Sequence, residues 1–210
     1  MKLQIALDLV NLNEAIRIAR RALEGGADII EAGTPLIKFY GVKAIERLRK
    51  AFPHTTIVAD MKTIDAGALE AEIAFQAGAD IVTVLGVASD RTVSEVIRMA
   101  REYGGKVMAD LMRVQDKPKR ALELESLGVD YILVHTGIDE QTLGKRPIDD
   151  LIAVEQNTVI PLAVAGGITD KEIDSIKKFR VEIVIVGRYV TKAADPKEAV
   201  RRLIAKLREV

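Results

Sequence analysis

The sequence contains no cysteine and no tryptophan, and it carries no net charge. Without cysteine the chain has no disulfide, no thiolate nucleophile and no thiolate ligand for a metal. Its 31 Lys and Arg residues balance 31 Asp and Glu residues, so it lacks the basic surplus of proteins that bind nucleic acid or anionic membranes. Any metal would be held by carboxylate, imidazole or water, which favours Mg²⁺ or Mn²⁺.

Long apolar stretches are also missing. No segment reaches the roughly 18 apolar residues of a membrane span, and the opening segment Met1–Asp8 becomes charged too early for a signal peptide. We therefore expect a cytoplasmic protein without a membrane or nucleic-acid partner. The 210 residues contain no linker or low-complexity tract, so residues 1–210 are predicted to form one domain.

Short β-rich runs alternate with longer amphipathic runs along the chain. The β-rich runs are continuously apolar, which is typical of strands buried on both faces of a parallel sheet. Between them lie patterns with charge on one face, such as Leu12–Leu23, Val42–Ala51 and Leu69–Gln76, which predict helices. The predicted strands are Leu3–Leu7, Asp28–Glu31, Thr56–Ala59, Asp80–Leu85, Lys106–Ala109, Tyr131–Val134, Pro161–Val164 and Ile183–Val186.

A glycine motif repeats between helix patterns and strands. It occurs as Gly26-Ala27-Asp28, Gly78-Ala79-Asp80 and Gly128-Val129-Asp130, at spacings that correspond to two strand-helix units each. The glycine suits the position after a helix, where φ is positive. Eight strand-helix units with this regularity predict an α/β fold, a single (β/α)8 TIM barrel. A doubly wound open sheet is the alternative.

Ionisable residues stand at the ends of five of the predicted strands. A capping role would explain Asp8 or Asp110 alone, and His135 alone would suit a core position. Ionisable groups at the same end of five strands are poorly explained by capping, and in a parallel barrel these ends converge on the rim where active sites form. The predicted site residues are Asp8, Glu31, Asp60 with Lys62, Asp110 and His135.

The segment Asp60–Asp65 places three charges where a buried run ends. Charges beside a buried strand must pair, bind a metal or face a wet pocket. Glu31 and Asp60 are expected to share a divalent cation, because two nearby carboxylates otherwise repel. Lys62, two residues after Asp60, is expected to project to the same side of an extended chain and to donate to a substrate oxygen. His54 follows Pro53 in a loop at the opposite rim and is expected to be exposed.

Two glycine motifs follow the last two predicted strands. Gly166-Gly167 follows strand 7, and Gly187-Arg188 follows strand 8. The loops after these strands commonly bind phosphate through backbone N–H groups in such barrels. Arg188 would add a charge-assisted contact. A Gly-Gly pair alone indicates only a turn, but in this position it favours phosphate binding.

These motifs resemble a known family. The chain is similar to the 3-hexulose-6-phosphate synthase family, within the orotidine-phosphate decarboxylase superfamily of barrels, over essentially its full length. The Asp-x-Lys-x-x-Asp pattern at Asp60, Lys62 and Asp65 marks the superfamily. The segments that carry the rest of the resemblance are residues 4–8, 30–38, 79–86, 164–167 and 193–196.

The resemblance implies a reversible aldol reaction between formaldehyde and D-ribulose 5-phosphate, giving D-arabino-3-hexulose 6-phosphate with Mg²⁺ or Mn²⁺. It places the ion on Glu31 and Asp60, proton transfer on His135 and a hydrogen bond to the enediolate on Lys62. Asp8 and Asp110 would orient substrate hydroxyls or Lys62. It also implies a homodimer, in which Asp65 reaches across the interface into the neighbouring site.

Two superfamily relatives have activities that are alternatives to this prediction. Orotidine-phosphate decarboxylases carry a lysine where Glu31 stands, so Glu31 argues against that activity. Keto-gulonate-phosphate decarboxylases share the metal pair, but they carry an arginine and a threonine where this chain has Ile138 and Ala165. Those differences favour the synthase and leave the decarboxylase as the alternative. A silent barrel that only binds a sugar phosphate is the third hypothesis.

Overall fold

The computed structural model describes residues 1–209. Eight parallel strands pair in chain order, and β8 pairs with β1, which closes the sheet into a barrel. The predicted (β/α)8 barrel is confirmed, and the open-sheet alternative is wrong. The strands are β1 Lys2–Leu7, β2 Ile29–Ala32, β3 Thr56–Thr63, β4 Ile81–Leu85, β5 Lys106–Asp110, β6 Tyr131–His135, β7 Leu162–Ala165 and β8 Val181–Val186.

Eleven helices surround the barrel in the described residues, because several connections carry an additional short helix. None of them is long and apolar enough to cross a membrane. Side-chain caps begin several of the long ones; Asn11 Oδ1, for example, accepts the Glu14 N–H at 3.0 Å. The helices are α1 Leu12–Gly25, α2 Thr34–Tyr40, α3 Lys43–Ala51, α4 Gly67–Gln76, α5 Asp90–Tyr103, α6 Lys117–Leu127, α7 Ile138–Gln141, α8 Pro147–Glu155, α9 Ile173–Ile176, α10 Arg188–Thr191 and α11 Pro196–Arg208.

The apolar core has two layers, because successive strand residues face opposite sides of the sheet. In β2, Ile30 packs outward against the helices, whereas Ile29 lies in the cluster that fills the barrel. Met108 and Leu133 belong to the same interior cluster. On β2 to β6 the interior positions nearer the carboxyl ends of the strands are polar instead of apolar. The interior of the barrel therefore carries polar and ionisable side chains at its carboxyl end.

The three glycine motifs occupy the opposite, amino-terminal rim. Gly26, Gly78 and Gly128 have φ values of 106°, 99° and 94°, which confirms the predicted left-handed turns. In each motif the following aspartate is hydrogen-bonded to the preceding strand. Asp28 Oδ2, for example, accepts the Leu3 N–H at 2.8 Å, while its own N–H donates to the Leu3 carbonyl at 2.9 Å.

The same pair of bonds recurs in the other two motifs. Asp80 Oδ2 accepts the Ile57 N–H at 2.7 Å, and Asp130 Oδ2 accepts the Val107 N–H at 2.8 Å. We refer to Asp28, Asp80 and Asp130 as the rim aspartates. Each ties the start of one strand to the start of the strand before it. They belong to the frame of the barrel, far from the carboxyl ends of the strands.

β3 departs from the predicted bounds. The apolar run was expected to end at Ala59, but the strand continues to Thr63 through the charged segment. Ala59 pairs with Val82 and Thr63 pairs with Val84, so β3 contains a bulge beside β4. Lys62 lies in this bulge with φ 48°, so the expectation that it simply continues an extended chain is wrong.

Candidate active site

Polar side chains occupy the interior positions at the carboxyl ends of five consecutive strands. They are aligned by the two-residue period of each strand, which places them on the same face as the interior apolar cluster. All five strands contribute from the same rim. The residues are Glu31 on β2, Asp60 on β3, Thr83 on β4, Asp110 on β5 and His135 on β6.

A cavity of about 820 Å³ opens at this rim. The predicted residues that line it are Asp8, Glu31, Asp60, Lys62, His135, Gly166, Gly187 and Arg188. Asp110 is fully buried and lies behind this lining, in contact with Lys62 and His135. The alternative capping roles do not apply, since Asn11 caps the helix after Asp8 and Asp116 caps the helix after Asp110.

Lys62 is the cation at the centre of the site. Its Nζ lies 2.8 Å from Asp60 Oδ2, 3.1 Å from Asp60 Oδ1 and 3.3 Å from Asp110 Oδ2. Burial would lower the pKa of Lys62, but the two carboxylates outweigh burial and raise the pKa above its usual value. Lys62 is therefore a charged hydrogen-bond donor at neutral pH, suited to a developing oxyanion.

His135 is oriented by Asp110. Its Nδ1 lies 2.8 Å from Asp110 Oδ2. Burial would raise the pKa of Asp110, but His135 and Lys62 lower it below its usual value, so Asp110 is ionised. A carboxylate can only accept, so in the neutral form of the imidazole the ring proton lies on Nδ1. The other ring nitrogen, Nε2, is left with a lone pair that can take a proton.

Two threonines that the sequence reasoning missed hold Asp60. Thr34 Oγ1 donates to Asp60 Oδ2 at 2.7 Å, and Thr83 Oγ1 donates to Asp60 Oδ1 at 2.8 Å. With Lys62, these contacts fix both carboxylate oxygens. Threonine in a strand is ordinarily explained by β-propensity, so Thr83 gave no separate signal. Thr34 lies within the family-like segment of residues 30–38, but the sequence alone indicates no role for it.

Glu31 is buried beside two other carboxylates. Burial raises the pKa of Glu31 well above its usual value, and Asp60 and Asp8 raise it further. Gln4, which was also missed, donates from Nε2 to Glu31 Oε2 at 2.5 Å. The Gln4 Oε1 atom is buried in the same cavity and has no hydrogen-bond partner among the described residues. An orphaned oxygen of this kind calls for a partner that is not a protein group.

The donor set fits a hard divalent cation. Asp8, Glu31, Asp60 and Asp110 bring four carboxylates together, and Lys62 is the ammonium that touches two of them. The resulting excess of negative charge and the orphaned Gln4 oxygen both favour an added cation. In residues 1–209 no group of three or more His, Asp or Glu side chains is arranged to hold a metal. A two-carboxylate site completed by water and substrate suits Mg²⁺.

The glycine loops close the far side of the cavity. Gly166 and Gly167 have φ values of 118° and 67°, and a Cβ on Gly166 would lie 2.5 Å from the Thr136 carbonyl oxygen. A side chain is therefore excluded at Gly166. Gly167 lines a neighbouring cavity of about 570 Å³ instead of the large one, while Gly166 and Arg188 line both.

Arg188 is held at the boundary between the two cavities. Its Nη2 donates to Gln141 Oε1 at 3.1 Å, and Gln141 Nε2 donates to the Thr136 carbonyl at 2.8 Å. Lys192, which the sequence reasoning missed, lines the large cavity as well. Two cations beside exposed glycine backbone form a surface suited to an anion such as phosphate.

Two further predictions concern residues outside this cavity. His54 is exposed in the loop before β3, as predicted. Asp65 is also exposed and does not line the large cavity of its own chain. Ile64 and Leu69, on either side of Asp65, are 52% and 57% exposed. The structure therefore does not bring Asp65 together with the other predicted site residues of its own chain.

The comparison with known proteins places the chain in a family. The model of the orotidine 5'-phosphate decarboxylase / HUMPS family matches residues 1–203. The chain belongs to this family. It is 41% identical over 205 residues to 3-hexulose-6-phosphate synthase of Mycobacterium gastri, covering 98% of this chain and 99% of that protein. It is 40% identical over 205 residues to the Bacillus subtilis enzyme of the same name, with 97% of each covered. The resemblance seen in the motifs is confirmed.

Solved structures of the family superpose closely on the barrel. The 3-hexulose-6-phosphate synthase from Salmonella typhimurium gives a TM-score of 0.95 at 41% identity, covering 99% of this chain and 98% of that one. A 3-keto-L-gulonate-6-phosphate decarboxylase from Vibrio cholerae gives 0.87 at 28% identity, covering 98% and 96%. Similarity is thus higher to the synthase in both fold and sequence.

Proposed function

We propose that this protein is a 3-hexulose-6-phosphate synthase, which joins formaldehyde to D-ribulose 5-phosphate in a reversible aldol condensation. The observation that carries the proposal is the convergence of Glu31, Asp60, Lys62 and His135 on one cavity. A carboxylate pair, a charged donor and an oriented imidazole are the groups that an enediolate reaction requires. Full-length similarity to named synthases supports the same choice.

His135 would move the proton. With Nδ1–H held by Asp110, Nε2 would accept a proton from C1 of ribulose 5-phosphate, leaving an enediolate over C1 and C2. C1 would then attack the carbonyl carbon of formaldehyde, and the new C–C bond would turn the formaldehyde oxygen into an alkoxide. The His135 imidazolium would return its proton to that oxygen. Lys62 would donate a hydrogen bond to the enediolate oxygen.

Glu31 and Asp60 would hold Mg²⁺ or Mn²⁺ at this site. When bound, the metal would supply Lewis-acid stabilisation of charge on the ketose oxygens. Asp8, at the mouth of the same cavity, would orient a substrate hydroxyl. The phosphate would lie on the Gly166 and Gly187 backbone beside Arg188, with Gly167 completing the turn.

The deciding assay measures formaldehyde consumption by purified protein with ribulose 5-phosphate, first with Mg²⁺ and then with excess EDTA. Loss of formaldehyde that requires the metal supports the synthase. Carbon dioxide release from 3-keto-L-gulonate 6-phosphate, without formaldehyde consumption, would establish the decarboxylase instead. Tight sugar-phosphate binding without either product would identify a silent barrel. Ile138 and Ala165 line the cavity and give it no arginine or threonine there, which favours the first result.

The active unit would be a homodimer in which Asp65 completes the partner's site. This is supported by the exposure of Asp65 outside its own cavity and by the exposed apolar side chains of Ile64 and Leu69 beside it. Complementation tests the arrangement. Asp65→Asn and His135→Gln proteins are each expected to be inactive, and denaturing and refolding them together should restore about a quarter of wild-type activity, from random pairing.

The expected recovery of activity follows from how the two substitutions are distributed over the two sites of a mixed dimer. If Asp65 serves the partner's site, one of the two sites in each mixed dimer has both residues intact. If Asp65 serves its own chain, each site lacks one residue and no activity returns. Elution of the wild-type protein as a monomer in size-exclusion chromatography would contradict the dimer directly.

A further inference from the structure

The bulge in β3 places Lys62 in an unusual backbone conformation. Four residue steps of β3, from Ala59 to Thr63, lie beside two steps of β4, from Val82 to Val84. Within them Lys62 has φ 48°, a left-handed value that residues with a Cβ rarely adopt. Such conformations persist when surrounding contacts over-determine them, and they cluster at functional sites.

A single buried hydroxyl on β4 supplies such a contact. Thr83 is 2% exposed, and its Oγ1 accepts the Lys62 N–H at 3.0 Å. The same Oγ1 donates to Asp60 Oδ1 at 2.8 Å. One group therefore fixes both the backbone that carries the central cation and the carboxylate that this cation contacts. Thr34 also bonds Asp60, but its contacts are with Asp60 alone.

We propose that Thr83 is a positioning residue, whose hydroxyl holds the β3 bulge so that Lys62 and Asp60 keep their reactive arrangement. The inference rests on the proposed function, because it concerns the same site. The packing of Thr83 in the strand needs only its β-branched shape, which valine shares. The positioning role therefore belongs to the hydroxyl of Thr83 alone. Losing this hydroxyl would leave the Lys62 N–H without its acceptor and would leave Asp60 Oδ1 with Lys62 Nζ as its remaining contact.

The kinetic test compares Thr83→Val, which keeps the shape and removes the hydroxyl, with Thr83→Ser, which keeps the hydroxyl. Supporting residues of this kind typically change activity or metal affinity by about 10- to 100-fold. Thr83→Val should therefore lower kcat by about that factor and leave KM for ribulose 5-phosphate within about threefold, because the glycine loops that would bind phosphate are untouched. Thr83→Ser should stay within about threefold of wild type in kcat.

A matched control removes another buried threonine hydroxyl. Thr158 is 4% exposed and donates to Glu125, away from the cavity. Thr158→Val should lower stability without changing kcat. If Thr83→Val does not fold, Thr83→Ala takes its place in the comparison with Thr83→Ser. These variants separate a general loss of packing from a loss of the particular hydroxyl.

A measurement without substrate separates this inference from the proposed function. Hydrogen exchange of the Lys62 amide, followed by NMR, should be at least tenfold faster in Thr83→Val than in Thr83→Ser, because its acceptor is gone. Faster exchange together with reduced kcat supports the positioning role. Unchanged exchange, or unchanged kcat with faster exchange, overturns it. If the wild-type protein consumes no formaldehyde, the proposed function fails, and the exchange result alone decides whether Thr83 holds the bulge.

Discussion

One oxygen of Asp110 contacts both proton-bearing groups of the site. Asp110 Oδ2 lies 2.8 Å from His135 Nδ1 and 3.3 Å from Lys62 Nζ. Asp110 is fully buried, and its other oxygen accepts the Met112 N–H at 2.8 Å. The proposed base and the proposed oxyanion donor are thus oriented by one carboxylate that does not line the cavity.

Removing the charge of Asp110 should disable His135. Asn in place of Asp110 can present an N–H to Nδ1, which would move the imidazole proton to Nε2 and block that nitrogen as a base. We expect Asp110→Asn to lower kcat by about 10²- to 10⁴-fold, as wrong-tautomer substitutions do. Steady-state kinetics measure this decrease in kcat. Asp116→Asn is the control, because Asp116 caps α6 on the surface and Asn caps equally well.

Asp110 should also contribute to the decrease in the free energy of unfolding at acid pH. Its pKa is lowered in the folded protein, so its contribution is complete above the usual carboxyl pKa, near 4, and is lost as pH falls through the lowered value. The difference in unfolding free energy between wild type and Asp110→Asn should shrink as pH falls from about 6 to about 2.5. Urea unfolding at several pH values tests this, and a pH-independent difference would contradict it.

His135 should affect turnover more than binding. His135→Gln keeps a polar side chain but removes the base, and we expect kcat to fall by about 10²- to 10⁴-fold with KM within a few fold. The matched control is His54→Gln, at the exposed position before β3, which should behave as wild type. A His135→Gln enzyme with full turnover would exclude His135 from proton transfer.

Glu31 and Asp60 should control metal binding. Glu31→Gln and Asp60→Ala remove one anionic ligand each, and both should abolish metal-dependent formaldehyde consumption. Mn²⁺ titration followed by EPR should show at least tenfold weaker binding in each variant without any substrate present. Glu46→Gln, on the exposed side of α3, serves as the control. Unchanged Mn²⁺ affinity would remove Glu31 and Asp60 from the metal site.

The two glycine loops should respond differently to a methyl group. At Gly166 the φ of 118° and the 2.5 Å approach to the Thr136 carbonyl oxygen should make Gly166→Ala less stable by about 1–3 kcal/mol. At Gly187 the nearest atom to an added Cβ is Asp8 Oδ2 at 3.5 Å, so Gly187→Ala should fold normally and raise KM for the sugar phosphate. Thermal melting and KM measurements distinguish the two, and equal behaviour would contradict this account.

The site residues that can be located from the sequence are those whose ionisable side chains are energetically costly to bury at the end of a strand. Glu31, Asp60 and His135 stood out because ionisable groups are rarely placed at the ends of buried apolar runs without a function. The barrel followed from the same runs and from the repeated glycine turns, since both depend on local periodicity. These features can be read from neighbouring residues alone.

The remaining features depend on contacts between strands. The bulge at Lys62 gave no signal, because lysine has no preference for positive φ and the cause lies on β4. Thr83 and Gln4 were missed because threonine suits any strand and the role of Gln4 depends on Glu31, 27 positions away. Asp65 follows the family motif, yet its place outside the cavity depends on the course of the chain after β3.

The stabilising bonds of the rim aspartates lie apart from the residues that would carry the chemistry. Asp28, Asp80 and Asp130 secure the strands at the end opposite the cavity, through bonds that share no residue with it. Substitutions that redirect the chemistry at the carboxyl rim therefore leave these bonds intact. We therefore expect that a library of variants confined to the carboxyl rim would change substrate selectivity without weakening the strand pairing at the opposite end.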